Sequence, residues 1–379
     1  MSKFNIPITK PYIGEEEKRF ISEAIDSGWI SQGPRVAEFE EEFAVYAGSR
    51  HAVAMSSCTT ALHAALVESA VGQGDEVIVP SLSFIATANA VVYCGAIPVF
   101  VDIDPKTCNL DPDFIEGAVT KKTRAIIAVH QMGLPADLDA IGKIAGKHHL
   151  KIIEDAACAV GSAYKGKKIG GHGNVACFSF HPRKVITTGE GGMITTDDPD
   201  SAVRLRRLRL HGMSVSDAER HAASKVIIET YPEIGYNYKM TDLQASMGIA
   251  QLQKLPFIID KRRQIAAFYN KELSRIPCVR VSRPPEYAFH NYQSYWIELA
   301  DSAPVSRDML MQKLLEKGIS TRRGIMAIHL EDCYIKRYGR INLPETERIT
   351  RNTLLLPIYP QMTSEEQNYV VESFAEVLR

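Results

Sequence analysis

Residues 177–193 read CFSFHPRKVITTGEGGM. The stretch starts as an apolar strand and ends by entering a second strand-like run, GMITT (192–196). Between the two lie a single lysine, Lys184, and a glycine-rich turn. Two strands this close in sequence leave the lysine on a short connection at the end of the first. A charged amine there is either a solvated surface group or one held for chemistry, and the rest of the chain supplies the context.

Outward from this stretch, strand-like and helix-like segments alternate. The strand candidates are AVAM (52–55), EVIVP (76–80), PVFVDI (98–103), RAIIAVH (124–130), KIIED (151–155), ACFSF (176–180) and GMITT (192–196). Helical patterns fall between most of them, at 59–70, 85–95 and 137–149, and two amphipathic helices, 15–28 and 36–47, come first. Such alternation predicts an α/β fold with a large, mostly parallel sheet and helices on both faces. After residue 240 the texture changes to helical runs at 241–255 and 257–273, a β-like YQSYWIELA (292–300), and helices near 306–317 and 363–378. A smaller C-terminal α+β domain is therefore expected, with a large domain over 1–250 and a small one over 251–379. Residues 213–235 are polar and lack periodicity, which reads as a long loop.

With 379 residues, the chain is too long for one small core. Its composition is that of an ordinary globular protein, 45% hydrophobic and 23% charged. A net charge of −1 argues against a general binder of nucleic acid or membrane surfaces. The seven cysteines contain no CxxC pair, so zinc ribbons and redox CxxC motifs are unsupported and no metal is expected. The opening MSKFNIPITKPYIG has no apolar core, and the longest apolar-rich run, 90–101, is too short to span a bilayer. These features predict a reduced, cytoplasmic protein that does not enter membranes.

The candidate chemistry starts at Asp155, which ends the apolar strand KIIED. Ligands of open α/β sheets bind at the carboxyl ends of strands, where such a carboxylate can face the crevice. A lone Asp there would more often cap a helix or pair with a cation. Lys184, 29 residues further on, changes the reading. A pyridoxal phosphate site needs this pair, a lysine amine to form a Schiff base and a carboxylate to keep the pyridine nitrogen protonated. The phosphate needs a holder, and SSCTTALHAAL (56–66) offers hydroxyls at a helix start. Ser57 and Thr59 could clasp the phosphate at the positive end of that helix, or simply cap it. Ser179 carries the same two readings.

Three other motifs point elsewhere. GSAYKGKK (161–168) nearly matches a phosphate loop, but Lys168 stands where the magnesium-binding hydroxyl belongs, so a solvated basic hairpin is expected. TGEGGM (188–193) lacks G-x-G-x-x-G spacing and reads as a tight turn whose glycines allow positive φ. RLRRLRLHG (204–212) is a basic helical run, read as a solvated helix face.

Taken together, EDAACAVGS (154–162), SFHPRKVITTGEGGM (179–193), SSCTTALHAAL (56–66), GDEVIVPSLSFIATANAV (74–91) and GYNYKMTDLQASMGIAQL (235–252) resemble the DegT/DnrJ/EryC1/StrS aminotransferases. The resemblance runs nearly end to end and implies the aspartate-aminotransferase fold, fold type I of the pyridoxal phosphate enzymes. It implies that Lys184 is the Schiff-base lysine and acid/base, that Asp155 pairs with the pyridine nitrogen, and that Cys58 (through its backbone), Thr59 and Ser179 hold the phosphate. Phe84 would stack on the cofactor ring and His181 would lie near the sugar; core packing and a structural turn are their plainer readings. Asn237 would reach the phosphate of a neighbouring subunit, giving a homodimer with shared active sites. Two positions depart from the family pattern. Cys158 stands where relatives commonly have a Gln that helps hold the cofactor ring, and Arg183 stands where Thr is frequent. STRRGIMAIH (320–329) also differs from the corresponding run of many members.

The resemblance implies transamination of a keto-sugar nucleotide with L-glutamate as amino donor. Members acting at sugar carbon three tend to carry a tyrosine before the lysine and a GDGG-like turn. Members acting at carbon four tend to resemble SFHPTKNITTGEGG. Here His181, Thr187, Thr188 and Glu190 fall on the carbon-four side, so a 4-keto-6-deoxyhexose is the expected acceptor. A 3-keto sugar is the alternative within the family. A family dehydratase would have histidine in place of Lys184. A regulatory, DNA-binding role is the alternative of a different class, supported only by the 204–209 run.

Overall fold

The computed structural model describes residues 4–215, 220 and 223–379; residues 216–219, 221 and 222 of the expected 213–235 loop lie outside the described residues. Seven strands build the central sheet: β1 (His51–Met55), β2 (Glu76–Pro80), β3 (Ile97–Val101), β4 (Thr123–Val129), β5 (Lys151–Asp155), β6 (Val175–Ser179) and β7 (Gly192–Thr196). Their order is β1-β7-β6-β5-β4-β2-β3, and β7 runs against the other six. Each of the seven expected strands is present to within two residues at either end.

The strands are apolar along their length because both faces are covered, as parallel sheets require. Alternate residues feed two different cores. Ile78, Ile126, Ala128 and Phe178 face one, with Phe39, Phe43 and Phe180. Val77, Val79, Ile127, Ile153 and Cys177 face the other, with Leu62 and Leu66. The helices that supply these faces are α1 (Glu15–Ser27), α2 (Pro34–Ala47), α3 (Cys58–Glu68), α4 (Ala86–Tyr93), α5 (Pro112–Ala118), α6 (Leu138–His148) and α7 (Pro199–Arg209). Phe43 packs on Phe178 and Phe180 with ring centroids 5.0 and 5.6 Å apart, which fixes the end of β6 where the Lys184 segment begins.

The two helical runs expected at 241–255 and 257–273 are one helix, α8 (Asp242–Leu273), with Pro256 inside it. Its start is set by a capping box between Thr241 and Gln244. The buried Asp242 carboxylate also accepts from Gly33 N, Arg35 N and Val36 N, which caps α2 from across the molecule. Beyond α8, β8 (Val279–Val281), β9 (Tyr295–Leu299), β10 (Arg322–Arg323) and β11 (Thr353–Leu356) form a second sheet of order β8-β9-β11-β10. It packs with α9 (Arg307–Glu316), α11 (Pro344–Asn352) and α12 (Ser364–Val377), whereas the intervening α10 (Asp332–Tyr338) turns its buried Tyr334 onto Phe100 in the core of the large sheet. The end of α8 and this sheet share a core that includes Ile265, Tyr269, Ile297, Leu354 and Phe374. The N-terminal strand residue Ile6 joins the same core and bridges to Ile319. GSAYKGKK is the expected hairpin, two short strands at Ala163–Tyr164 and Lys167–Lys168, extended by Ala288–Phe289 into a third small sheet.

Candidate active site

Parallel strands present their carboxyl ends on one edge, and five of these ends open into one cleft. Ser57, Cys58 and Thr59 follow β1; Ser83, Phe84 and Thr87 follow β2; His130 and Gln131 follow β4; Asp155 and Cys158 end and follow β5; Ser179, His181, Arg183 and Lys184 end and follow β6. Gln293, Arg322, Leu355 and Ile358 close it from the C-terminal part, and Ile8 and Thr9 from the N-terminus. The cleft has a volume of about 370 Å³. It brings together every candidate site residue named from the sequence except Asn237, which is exposed and bridges to Leu210 just beyond α7.

Lys184 sits on a loop closed at its base. Phe180 N donates to Gly191 O (2.9 Å), Thr188 N to Phe180 O (3.0 Å), and Thr187 Oγ1 to Phe180 O (2.8 Å). Gln251 of α8 accepts from Thr187 N and donates to Glu17, tying the loop to two helices. The lysine Nζ lies 3.2 Å from Cys158 Sγ. Burial works against charge on this amine, but the Cys158 sulfur, followed by Cys58 and the Asp155 carboxylate, outweighs it and raises the pKa above the ordinary lysine value.

The Asp155 carboxylate is buried at the floor and accepts from Thr87 Oγ1 (2.8 Å) and Ala157 N (3.2 Å). Since the Thr87 proton goes to Asp155, the 2.7 Å contact between Ser83 and Thr87 has Ser83 as donor. A directed chain of hydroxyls therefore holds an anionic carboxylate and leaves lone pairs for one more donor. Thr87 was missed in the sequence because IATANAV reads as ordinary helix. A hydroxyl at the start of an otherwise apolar helix was the signal available.

At the start of α3, Ser57 is the N-cap. Its hydroxyl accepts from Thr60 N (3.2 Å), and Thr60 Oγ1 accepts from Ser57 N (3.1 Å). The plainer of the two readings of Ser57 is thus realised by its side chain. Among the described residues, no hydrogen bond engages the N–H groups of Cys58 and Thr59 or the Thr59 hydroxyl. These are orphan donors at the positive end of a helix, an anion site by construction. Gly192 makes it possible. A Cβ there would stand 2.5 Å from the Ser57 carbonyl and 2.7 Å from Cys58 N. In the TGEGGM turn only Gly189 has positive φ (83°); Gly192 is required by this close approach instead.

Phe84 projects an aromatic ring that is 63% exposed, so core packing does not explain it. Its loop is stapled by Ile328 N to Ser81 O (2.8 Å) and by Gln131 Nε2 to Leu82 O. His181 is half-buried, accepts from Arg183 N at 3.2 Å, and lies 3.9 Å from Glu190. Burial lowers its pKa, with repulsion from Arg183 and Lys184 adding to this against the pull of Glu190, so it is neutral near pH 7.

The residues fit pyridoxal phosphate. Orphan N–H groups and the Thr59 and Ser179 hydroxyls suit its phosphate, Asp155 suits a protonated ring nitrogen, Phe84 suits a planar ring, and Lys184 supplies the amine. Once bound, the group supplies an electron sink for the bonds of a substrate carbon. The basic 204–209 run is not arrayed for a polyanion. Arg204 and Arg207 pair with Glu233, and Arg206 and Arg209 with Glu40. Among the described residues, no group of three or more His, Cys, Asp or Glu forms a metal site, and no helix is long and apolar enough to cross a membrane.

Fold and cleft together define a fold type I pyridoxal phosphate enzyme. Residues 11–375 match the model of the DegT/DnrJ/EryC1/StrS aminotransferase family, and the chain belongs to that family. It is an enzyme, a pyridoxal phosphate-dependent aminotransferase. Its solved neighbours are sugar aminotransferases. DesI, solved in the presence of its TDP-sugar product, is 34% identical, with a TM-score of 0.90 over 100% of this chain and 94% of that one. DesV of S. venezuelae, solved with a ketimine intermediate, is 32% identical, with a TM-score of 0.91 over 99% of each chain. Spr1654 of Streptococcus pneumoniae, described as a sugar aminotransferase and solved in its PLP form, is 29% identical, with a TM-score of 0.92 over 99% of this chain and 98% of that one.

Proposed function

We propose that the protein transfers the amino group of L-glutamate to a nucleotide-linked 4-keto-6-deoxyhexose, giving a 4-amino sugar and 2-oxoglutarate. The observation that carries this reading is the loop around Lys184. SFHPRKVITTGEGG follows the carbon-four pattern, and His181, Lys184 and Glu190 all line the cleft. A loop pinned by Thr187, Thr188 and Gln251 fixes which sugar carbon reaches the amine, and small misplacements cost orders of magnitude in rate. The TDP-sugar product of DesI supports a nucleotide-linked acceptor.

In this proposal Lys184 Nζ takes and returns the proton on the amine-bearing carbon, and Asp155 holds the proton on the ring nitrogen. Cys58 N, Thr59 and Ser179 bind the phosphate, Phe84 covers the ring, Cys158 takes the place of a ring-holding Gln, and His181 meets the sugar. Residues 1–250 form the cofactor domain and 251–379 the small domain that closes over it, within a cytoplasmic enzyme. The exposed Asn237 reaches a partner's phosphate in a homodimer with shared sites. Mixing inactive Lys184→Ala and Asn237→Ala subunits should restore activity in mixed dimers; a verified mixed dimer that stays inactive rejects the shared site.

The test of the main reading is NMR of the product after incubation with L-glutamate and 3-keto or 4-keto sugar nucleotides. The amine is expected on carbon four. An amine found only on carbon three overturns the acceptor assignment while leaving the aminotransferase intact.

A further inference from the structure

Two arginines line the cleft without a counter-charge. Arg322 lies on β10, in register with Leu355 of β11, whose side chain also lines the cleft. Strand alternation sends its neighbour Arg323 the other way, to Glu331 at 3.6 Å. Arg183 immediately precedes Lys184, and its carbonyl accepts from Gln293 Nε2 at 2.9 Å, which ties it to the C-terminal part. Among the described residues, no ion pair or side-chain hydrogen bond engages either guanidinium. The two are close enough to repel. Burial first, and then the charge of Arg322, lower the pKa of Arg183.

The acids of the cleft do not relieve this repulsion. Asp155 is at the floor, held by Thr87 and Ala157, and Glu190 lies beside His181. Like charges kept together at the mouth of a cleft are costly unless an anion joins them, and two guanidinium forks match a carboxylate or phosphate group.

We propose that Arg183 and Arg322 form the subsite that reads the distal carboxylate of a dicarboxylic amino donor. This rests on the aminotransferase reading and assigns its donor specificity to two side chains. Placement favours a carboxylate over the diphosphate of a sugar nucleotide. Arg183 is the neighbour of Lys184 in the chain and lines the same cleft as Cys158, whose sulfur is 3.2 Å from Lys184 Nζ. A cation this close to the reacting amine suits the short chain from an amino acid's α-carbon to its side-chain carboxylate. A diphosphate is held further off, beyond the sugar ring. Arg183 stands where Thr is frequent among relatives, and Arg322 lies in the run STRRGIMAIH, which differs from that of many members.

The test compares wild type with Arg183→Gln and Arg322→Gln, both at exposed positions where folding is retained. Reaction of the holoenzyme with L-glutamate and with L-alanine is followed by cofactor absorbance. Binding of 2-oxoglutarate and of inorganic pyrophosphate to the apoprotein is followed by calorimetry. The ratio of kcat/KM for glutamate over alanine should fall by about 10- to 100-fold in each variant, the scale of a hydrogen bond to a charged group. Binding of 2-oxoglutarate should weaken in parallel. An unchanged ratio overturns the proposal. So does a loss confined to pyrophosphate and the keto-sugar nucleotide, which would assign the pair to a diphosphate. If wild type reacts with neither amino acid, the aminotransferase reading fails, and the 2-oxoglutarate arm still decides whether the arginines bind a dicarboxylate.

Discussion

Replacing Asp155 by Asn separates the charge of this residue from its shape. In the native cleft both carboxylate oxygens accept a hydrogen bond, one from Thr87 Oγ1 at 2.8 Å and one from Ala157 N at 3.2 Å. An asparagine has one acceptor oxygen. With that oxygen kept on Ala157 N, its NH₂ group donates to the Thr87 hydroxyl, which turns to donate to Ser83. Two hydrogen bonds to a charged carboxylate become weaker neutral ones, at about 1 kcal/mol, which is a Tm loss of about a few degrees or less for a chain of this size. That cost is paid with or without cofactor. A second loss appears only in the loaded enzyme. The ring nitrogen no longer faces a negative charge and sheds its proton, and kcat falls by about 10²-fold or more. Thr87→Val is the control. It removes one donor to Asp155 and strands the Ser83 hydroxyl, yet keeps the charge. It should show a similar stability loss with a much smaller effect on kcat. Melting curves of the apoprotein and steady-state rates of the holoenzyme give the two numbers independently. Near-normal kcat in Asp155→Asn, or equal loss in both variants, refutes the assignment of Asp155 to the ring nitrogen.

Lys184→Ala should abolish turnover while keeping the fold, because the amine's one hydrogen-bond partner among the described residues is Cys158 Sγ; borohydride should fix cofactor to wild type and not to the variant, and normal turnover in the variant would reject the lysine assignment. Gly192→Ala places a methyl 2.5 Å from the Ser57 carbonyl and should push the start of α3 out of place. Cofactor binding, read by fluorescence titration, should weaken by about 10- to 100-fold, the equivalent of overpacking by 1–3 kcal/mol, whereas unchanged affinity would show that α3 does not hold the phosphate. His290 is buried and its pKa is pushed down to about 3. Its folded value lies below the unfolded one, so its contribution is intact above about pH 6.5 and is lost as pH falls, at about 1.4 kcal/mol per unit. His290→Gln should flatten the pH dependence of chemical unfolding between about pH 6.5 and 5, above the range where Glu154 adds its own acid loss; equal slopes would reject this.

The large sheet was legible because its strands are long apolar runs separated by helical patterns, a local signal. The second sheet was legible only at β9. Its other strands are two to four residues long and pair with partners far away in sequence, such as Arg322 with Leu355, so no short window of sequence contains both partners. Pro256 misled in a different way. A proline has no N–H to give the turn before it, which argues for a break. Here α8 continues through it, because Leu252, Leu255, Ile258 and Ile259 on either side are buried in one core. Tertiary packing of one face outweighs a single lost backbone bond.

The site divides along the same line. Residues that end strands, such as Asp155 and Ser179, could be placed from sequence because the sheet fixes where strand ends go. Residues that support them could not, since Thr87 and Arg322 reach the cleft from a helix and a distant strand, and Gln251 braces the Lys184 loop from α8. Ser57 shows a further limit. A helix N-terminus has four donors without partners, and both a capping hydroxyl and a bound phosphate satisfy donors from that same set. Sequence alone cannot divide them. In the structure Thr60 N donates to Ser57 Oγ, while Cys58 N and Thr59 N have no protein acceptor among the described residues. The two readings of the SSCTT motif are therefore not rivals. The cap orders the first turn of α3, and the ordered turn aims the remaining donors at the cleft. Removing the cap with Ser57→Ala should loosen the anion site through its geometry, whereas removing the Thr59 hydroxyl should weaken it by a lost contact.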